Sequence, residues 1–165
     1  MTQLPEDRSS SARRQFLGGA IAGMAASALA SQNVEAAEPS GAKRTGLYPD
    51  GVPSADVGYS PGIAAEGKRV VFVSGQGSDD VKADMETQMR QTFDKIGKVL
   101  AEAGATWENV VMMRSFFVHL NRDLPAYRKV RKEYLKKPYP ASTAVGTTEL
   151  AIPGLDIEIE AIAIV

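Results

Sequence analysis

The chain has 165 residues, 44% hydrophobic and 24% charged, with a formal net charge of -1. It can bury one sizeable core but is too short for two domains of ordinary size, and no global field draws it to nucleic acid or anionic lipid. It has no cysteine and one histidine, which removes disulfides, thiolate nucleophiles and metal sites built on cysteines or histidine clusters.

The first 36 residues read as an address. A polar start leads to Arg13-Arg14, then "QFL", then a Gly/Ala-rich run from Gly18 to Ala30 that is too short and too rich in glycine to span a bilayer stably. "SARRQFL" resembles a bacterial twin-arginine export signal, with one alanine inserted or standing where the serine would be. Cleavage is expected after Ala36, with Ala30 as the alternative. The expectation is a periplasmic or secreted protein that meets the twin-arginine translocon in transit; the blander readings are a disordered basic leader or a retained single-pass anchor. Residues 37–54 carry Gly, Pro and charge with no apolar period, and are expected to be a linker or an arm packed only at its end. The domain proper is then 55–165.

"VGYSPGIAA" and "RVVFVSG" predict a hairpin whose first strand is at an edge or bulged, because Pro61 cannot donate to a ladder. Asp79 or Asp80 is the expected N-cap of a helix of about six turns, with Met85, Met89, Phe93, Ile96 and Leu100 on its core face and Gly104 stopping it. "NVVMMRSFFV" is apolar on both faces apart from Arg114 and Ser115, as for a strand covered on both sides. Asp123 is the expected cap of a second helix, with Pro125 in its first turn and Tyr127, Val130 and Tyr134 on one side. Two further strands, Ser142 to Leu150 and Asp156 to Val165, flank a turn at Pro153-Gly154. The order ββαβαββ predicts an α+β layer with both helices on one face of a mixed sheet.

In "DIEIEAIAIV", Ile157, Ile159, Ala161, Ala163 and Val165 share one face, and Glu158, Glu160, Ile162 and Ile164 the other. Helices can cover the first face. Isoleucines on the second argue for burial by another copy of the chain, which predicts a homo-oligomer. Glu158 and Glu160, with Cβ atoms about 7 Å apart, could then support acid/base chemistry or pair with arginines of a neighbour.

Other constellations carry less. "GQGSDD" starts like a phosphate-cradling loop, but Asp80 stands at the third glycine's place and Asp79 adds repulsion. His119 is the lone histidine and no G-x-S-x-G elbow accompanies it. Arg122, Arg128, Lys129, Arg131, Lys132, Lys136 and Lys137 form a local basic region near Tyr127, Tyr134 and Tyr139; a solvated helix face is the expectation, and RNA contact the alternative.

"GYSPG", "VFVSGQ", "VLAEAGATWENVV", "FFVHL", "PAST" and "EIEAIA", in this order over about residues 55 to 165, resemble the Rid family of YjgF-like reactive-intermediate deaminases, also labelled endoribonuclease L-PSP. The resemblance implies a chorismate-mutase-like fold, a homotrimer with clefts between subunits, hydrolysis of imines and enamines to carbonyl compounds and ammonia, and no cofactor. It implies that Glu158 positions the attacking water, that Tyr59 and Ser74 hold the nitrogen side, and that Gly75 lines the cleft. It also exposes a departure. Active deaminases of the family carry P-A-R-S, whose arginine grips the substrate carboxylate, whereas Pro140-Ala141 is followed here by Ser142. Loss of such a charge-assisted pair weakens binding by about 1.5–3 kcal/mol. Arg128, where the family often places a cleft-side asparagine, could replace it; otherwise Ser142 and Thr143 hydrogen-bond a neutral group. The expected function is an exported hydrolase of an imine, enamine or related C–N bond, with a substrate other than a simple 2-imino acid. The alternatives are a non-catalytic trimer that binds a small metabolite and, third, an endoribonuclease.

Overall fold

The computed structural model describes residues 43–52 and 58–165. The export signal and both cleavage positions expected over residues 1–36 lie outside them.

The expected order ββαβαββ is present, preceded by one further strand. The elements are β1 (Lys43–Leu47), β2 (Gly62–Glu66), β3 (Val70–Gln76), α1 (Met85–Glu102), β4 (Val110–Phe117), α2 (Leu120–Tyr134), β5 (Ala141–Gly146) and β6 (Ile157–Ile164). Four strands form a mixed sheet in the order β3-β6-β4-β5, in which β4 and β5 are parallel and the other pairs antiparallel. This is the α+β, chorismate-mutase-like architecture.

Two expectations need correction here. β1 falls inside the segment read as a linker, so residues 43–47 are not spacer; they pair antiparallel with β2. The hairpin of β2 with β3 is not formed. The chain turns at Lys68 and Arg69, whose backbone N–H groups donate to the Val165 carbonyl at 2.7 and 2.8 Å, and this sets β3 against β6 while β2 is left to β1.

α1 carries the predicted stripe, and Met89, Phe93, Ile96 and Leu100 are all fully buried. Its cap is Asp84 rather than Asp79 or Asp80, which are otherwise engaged. Asp79 pairs with Lys95 at 2.6 Å and Asp80 accepts the Lys82 N–H at 2.9 Å. Asp84 accepts from the Thr87 hydroxyl at 2.6 Å and its N–H at 3.0 Å, and these bonds hold its carboxyl below the usual range. Gly104, at φ +68°, ends the helix in the left-handed conformation that favours glycine. α2 starts three residues before the expected cap. His119 accepts the Asp123 N–H through its carbonyl at 3.1 Å, so Asp123 lies buried within the first turn and is held by Arg122 instead of capping.

The period of two decides which side chains meet the helices. Ile157, Ile159, Ala161 and Ala163 of β6, with Met113, Ser115 and Phe117 of β4 and Val73 of β3, are buried beneath α1 and α2. Phe93 centres an aromatic cluster there, with ring centroids 4.8 Å from Tyr134, 5.3 Å from Trp107 and 6.3 Å from Tyr127. The opposite face presents Glu158, Glu160, Ile162 and Ile164 beside Met112, Arg114 and Phe116. Toward β3 it also shows Phe72, 74% exposed, and Val70, 53% exposed.

Phe93→Ala should lower unfolding stability by about 3–5 kcal/mol, because it removes a fully buried ring from close packing. Urea unfolding of the two proteins measures the difference.

Candidate functional site

Glu158 stands opposite Phe116 on the sheet face turned away from the helices. Its other flank is a bulge in β3: Val73 opposes Ala161 and Gln76 opposes Ile159, so Ser74 and Gly75 together face the single residue Glu160. The bulge brings the β3 backbone up to the Glu158 side chain. A Cβ at Gly75 would lie 2.6 Å from the Glu158 carboxyl carbon and collide with Oε1, so glycine leaves room for the carboxylate in this position and any larger residue would displace it.

The two glutamates of β6 have different surroundings. Arg114, directly across on β4, forms an ion pair with Glu160 at 3.0 Å and neutralises it. Glu158 has no ion-pair or hydrogen-bond partner among the described residues, so its oxygens are available to a water or ligand. A neighbour's arginine is therefore not needed for Glu160, and the two carboxylates do not act as an equivalent pair.

The other expected site residues lie elsewhere. Ser142 is in register with Met113 and shares the helix-facing side of the sheet, whereas Thr143 is in register with Arg114 on the Glu158 side. Alternation along β5 thus prevents the two hydroxyls from forming one floor. Tyr59 precedes Ser60, which bridges to Ala141 and donates its N–H to the Pro140 carbonyl at 3.2 Å. This places Tyr59 at the outer margin of β5. Arg128 is exposed on α2, with the sheet between it and Glu158. One chain therefore presents two separate groups: Glu158, Ser74 and Gly75 on one face, and Tyr59, Ser142 and Arg128 around β5 and α2.

The basic helix face contains a second correction. Arg131 is not solvated but buried, 6% exposed, with its guanidinium carbon 4.9 Å from the centre of the Tyr127 ring. Tyr127 shares a hydrogen bond of 2.7 Å with Ser115 on β4. The sequence carried a signal for this burial, since Arg131 follows the core residue Tyr127 by four and so lies on the same side of the helix.

A two-layer fold with both helices on one sheet face and an unpaired glutamate on the other defines a chorismate-mutase-like protein with a polar surface site. The chain belongs to the Rid/YjgF family: the family model described as Endoribonuclease L-PSP matches residues 51–165. It is similar to the RutC family protein YjgH of Escherichia coli, 34% identical over 73% of this chain and 95% of that protein. A 2-iminobutanoate/2-iminopropanoate deaminase of Homo sapiens is 30% identical over 64% of this chain and 79% of its own. Among solved structures, a member of the conserved Rid protein family from Yersinia pestis superposes with a TM-score of 0.66, at 29% identity, over 74% of this chain and 98% of that one.

Gly75→Ala should push the Glu158 carboxyl off the β3 bulge while leaving the fold in place. Carboxyl carbon NMR of the glutamates checks this: the Glu158 resonance should move and that of Glu160, still held by Arg114, should not.

Proposed function

We propose that the chain is a hydrolase of the C–N bond of a small imine or enamine, working as a homotrimer. The observation that carries the reading is Glu158, unpaired and seated against Gly75 while its neighbour Glu160 is neutralised. The deaminase relative supports the same chemistry.

An imine carbon is already electrophilic, so a positioned water and a proton acceptor suffice. Glu158 orients the water and takes a proton from it as the water oxygen bonds to the carbon of the protonated imine and the π electrons move to nitrogen, giving a neutral carbinolamine. Glu158 then passes that proton to nitrogen and takes up the hydroxyl proton as the C–N bond breaks and the carbonyl compound and ammonia leave. An enamine first takes a proton on carbon and enters as the imine. Ser74 and Tyr59 hold the nitrogen side.

Homotrimer formation is supported by the division of the site residues. Glu158, Ser74 and Gly75 face away from Tyr59, Ser142 and Arg128 of the same chain, and packing of one copy's apolar sheet face against another joins the two groups in a cleft. Ser142 in place of the arginine of the P-A-R-S pattern argues against a 2-imino acid held by a strand-borne arginine, and favours, as a second reading, a trimer that binds a metabolite without turnover. Export through the twin-arginine translocon to the periplasm or beyond is supported by "SARRQFL" and the Gly/Ala run after it.

Ammonia release from a panel of freshly generated imines, with and without a carboxylate, tests the reading. Turnover of at least one imine is expected, falling about 100-fold or more in Glu158→Gln. Silence across the panel, or turnover unchanged by Glu158→Gln, would overturn it.

A further inference from the structure

The basic region around α2 is only partly spent within the fold. Arg122 and Lys129 are engaged by carboxylates and Arg131 is buried, but Lys136 and Lys137 stand beyond the helix and line a cavity of about 310 Å³ with Arg44 of β1 and Glu108. A second cavity of about 360 Å³ adjoins it, with Lys136 and Glu108 as shared lining and Trp107 and Tyr134 as an aromatic wall. Both volumes are at the lower end of the range of small-molecule pockets, about 300–1,000 Å³.

The first cavity suits an anion. Arg44 reaches from β1 to donate through Nη1 to the Val110 carbonyl at 2.7 Å, which fixes the guanidinium at the start of β4. Among the described residues it has no ion-pair partner; burial lowers its pKa, and Glu108 acts from further off to raise it. Three cations and one carboxylate line the cavity, and the excess of positive charge matches a phosphate monoester at about -2. A guanidinium already oriented by a carbonyl is well placed to meet phosphate oxygens with its remaining N–H groups. The second cavity offers rings. Trp107 and Tyr134 are partly buried, with centroids 5.8 Å apart, and the Tyr134 hydroxyl is held by Asp94 at 2.9 Å, which leaves its ring to the wall. Glu108 and Lys136 stand between the two cavities. Their pair is 3.9 Å apart with both side chains exposed, so it is weak and both are able to turn to a ligand. Val110 and Phe116, the strand partner of Glu158, are about 20 Å apart along β4, which puts these cavities and Glu158 toward opposite ends of that strand.

We propose that the two adjoining cavities form a binding site for a nucleoside 5′-monophosphate. The phosphate is held among Arg44, Lys136 and Lys137, the base lies against Trp107 and Tyr134, and Glu108 accepts hydrogen bonds from the ribose hydroxyls between them. The one carboxylate, which would oppose a bare anion, thereby gains donors. Every base has a π-face to set against an aromatic wall, so the arrangement selects the nucleotide class rather than one base. The charge excess answers one terminal phosphate rather than a strand of them. The site makes no use of Glu158 and does not rest on the hydrolytic reading.

Trp107 is the only tryptophan of the chain, so its emission reports on the second cavity directly. The probes are adenosine 5′-monophosphate, its 2′,3′-dideoxy counterpart, adenosine, inorganic phosphate and a short oligoadenylate, titrated into the full chain and into Lys136→Glu, Arg44→Met and Glu108→Ala. The monophosphate should change Trp107 emission saturably, and adenosine and inorganic phosphate should each bind about tenfold more weakly or worse. Lys136→Glu, a change at an exposed side chain, should weaken monophosphate binding about tenfold or more, as should Arg44→Met. The preference for the ribose over the dideoxyribose form should shrink in Glu108→Ala. Trp107 emission that the monophosphate leaves unchanged, adenosine or inorganic phosphate bound as tightly as the monophosphate, or unaltered binding in Lys136→Glu would overturn the proposal even if Arg44→Met failed to fold. An oligoadenylate bound more than tenfold tighter than the monophosphate would also overturn it, in favour of an RNA surface.

Discussion

Strand β6 is hydrogen-bonded on both edges, to β3 and to β4, and the period of two along it sorts every later feature. Its isoleucines and alanines at 157, 159, 161 and 163 complete the core beneath the helices. That commits Glu158 and Glu160 to the other face, because a slip of one residue would bury both carboxylates beneath Phe93 and Tyr127 and expose the isoleucines. The hydrophobic term that fixes the register is therefore also what fixes the carboxylates. Neighbouring strands then make the two glutamates different, β4 by offering Arg114 to Glu160 and β3 by bulging at Gly75 beside Glu158.

The arginines are distributed on the same logic. Arg114 lies on the glutamate face, partly exposed, and answers a charge of its own chain. Arg122 on α2 is likewise committed, to Asp123 and Asp156 at 2.6 Å each. Arg131 differs from both, since it is buried beneath the helix surface with a ring but no anion beside it.

Much of this was legible in the residues. Alternation along "DIEIEAIAIV" separated the two faces of β6, and the spacing of Met85 through Leu100 gave the core side of α1. The failures have physical causes. Asp79 and Asp123 look like caps, but ion pairs with Lys95 and with Arg122 claim them first. The pairing of β3 with β6 depends on backbone bonds from Lys68 and Arg69 to the far end of the chain, which no local pattern records. Ser142 and Thr143 looked like one floor in the sequence because adjacency hides alternation until the register is known. Arg131 was counted with its basic neighbours, and only the packing against Tyr127 distinguishes it.

Sedimentation of the full chain, run beside an ammonia-release assay on the same samples, tests the joining of the two groups between copies most directly. Phe72, exposed at the apolar end of the Glu158 face, is the residue to change. The wild type should sediment as a trimer and turn over an imine, and Phe72→Asp should sediment as a folded monomer that does not. A wild-type monomer with full turnover, or a Phe72→Asp monomer that keeps it, would contradict the account.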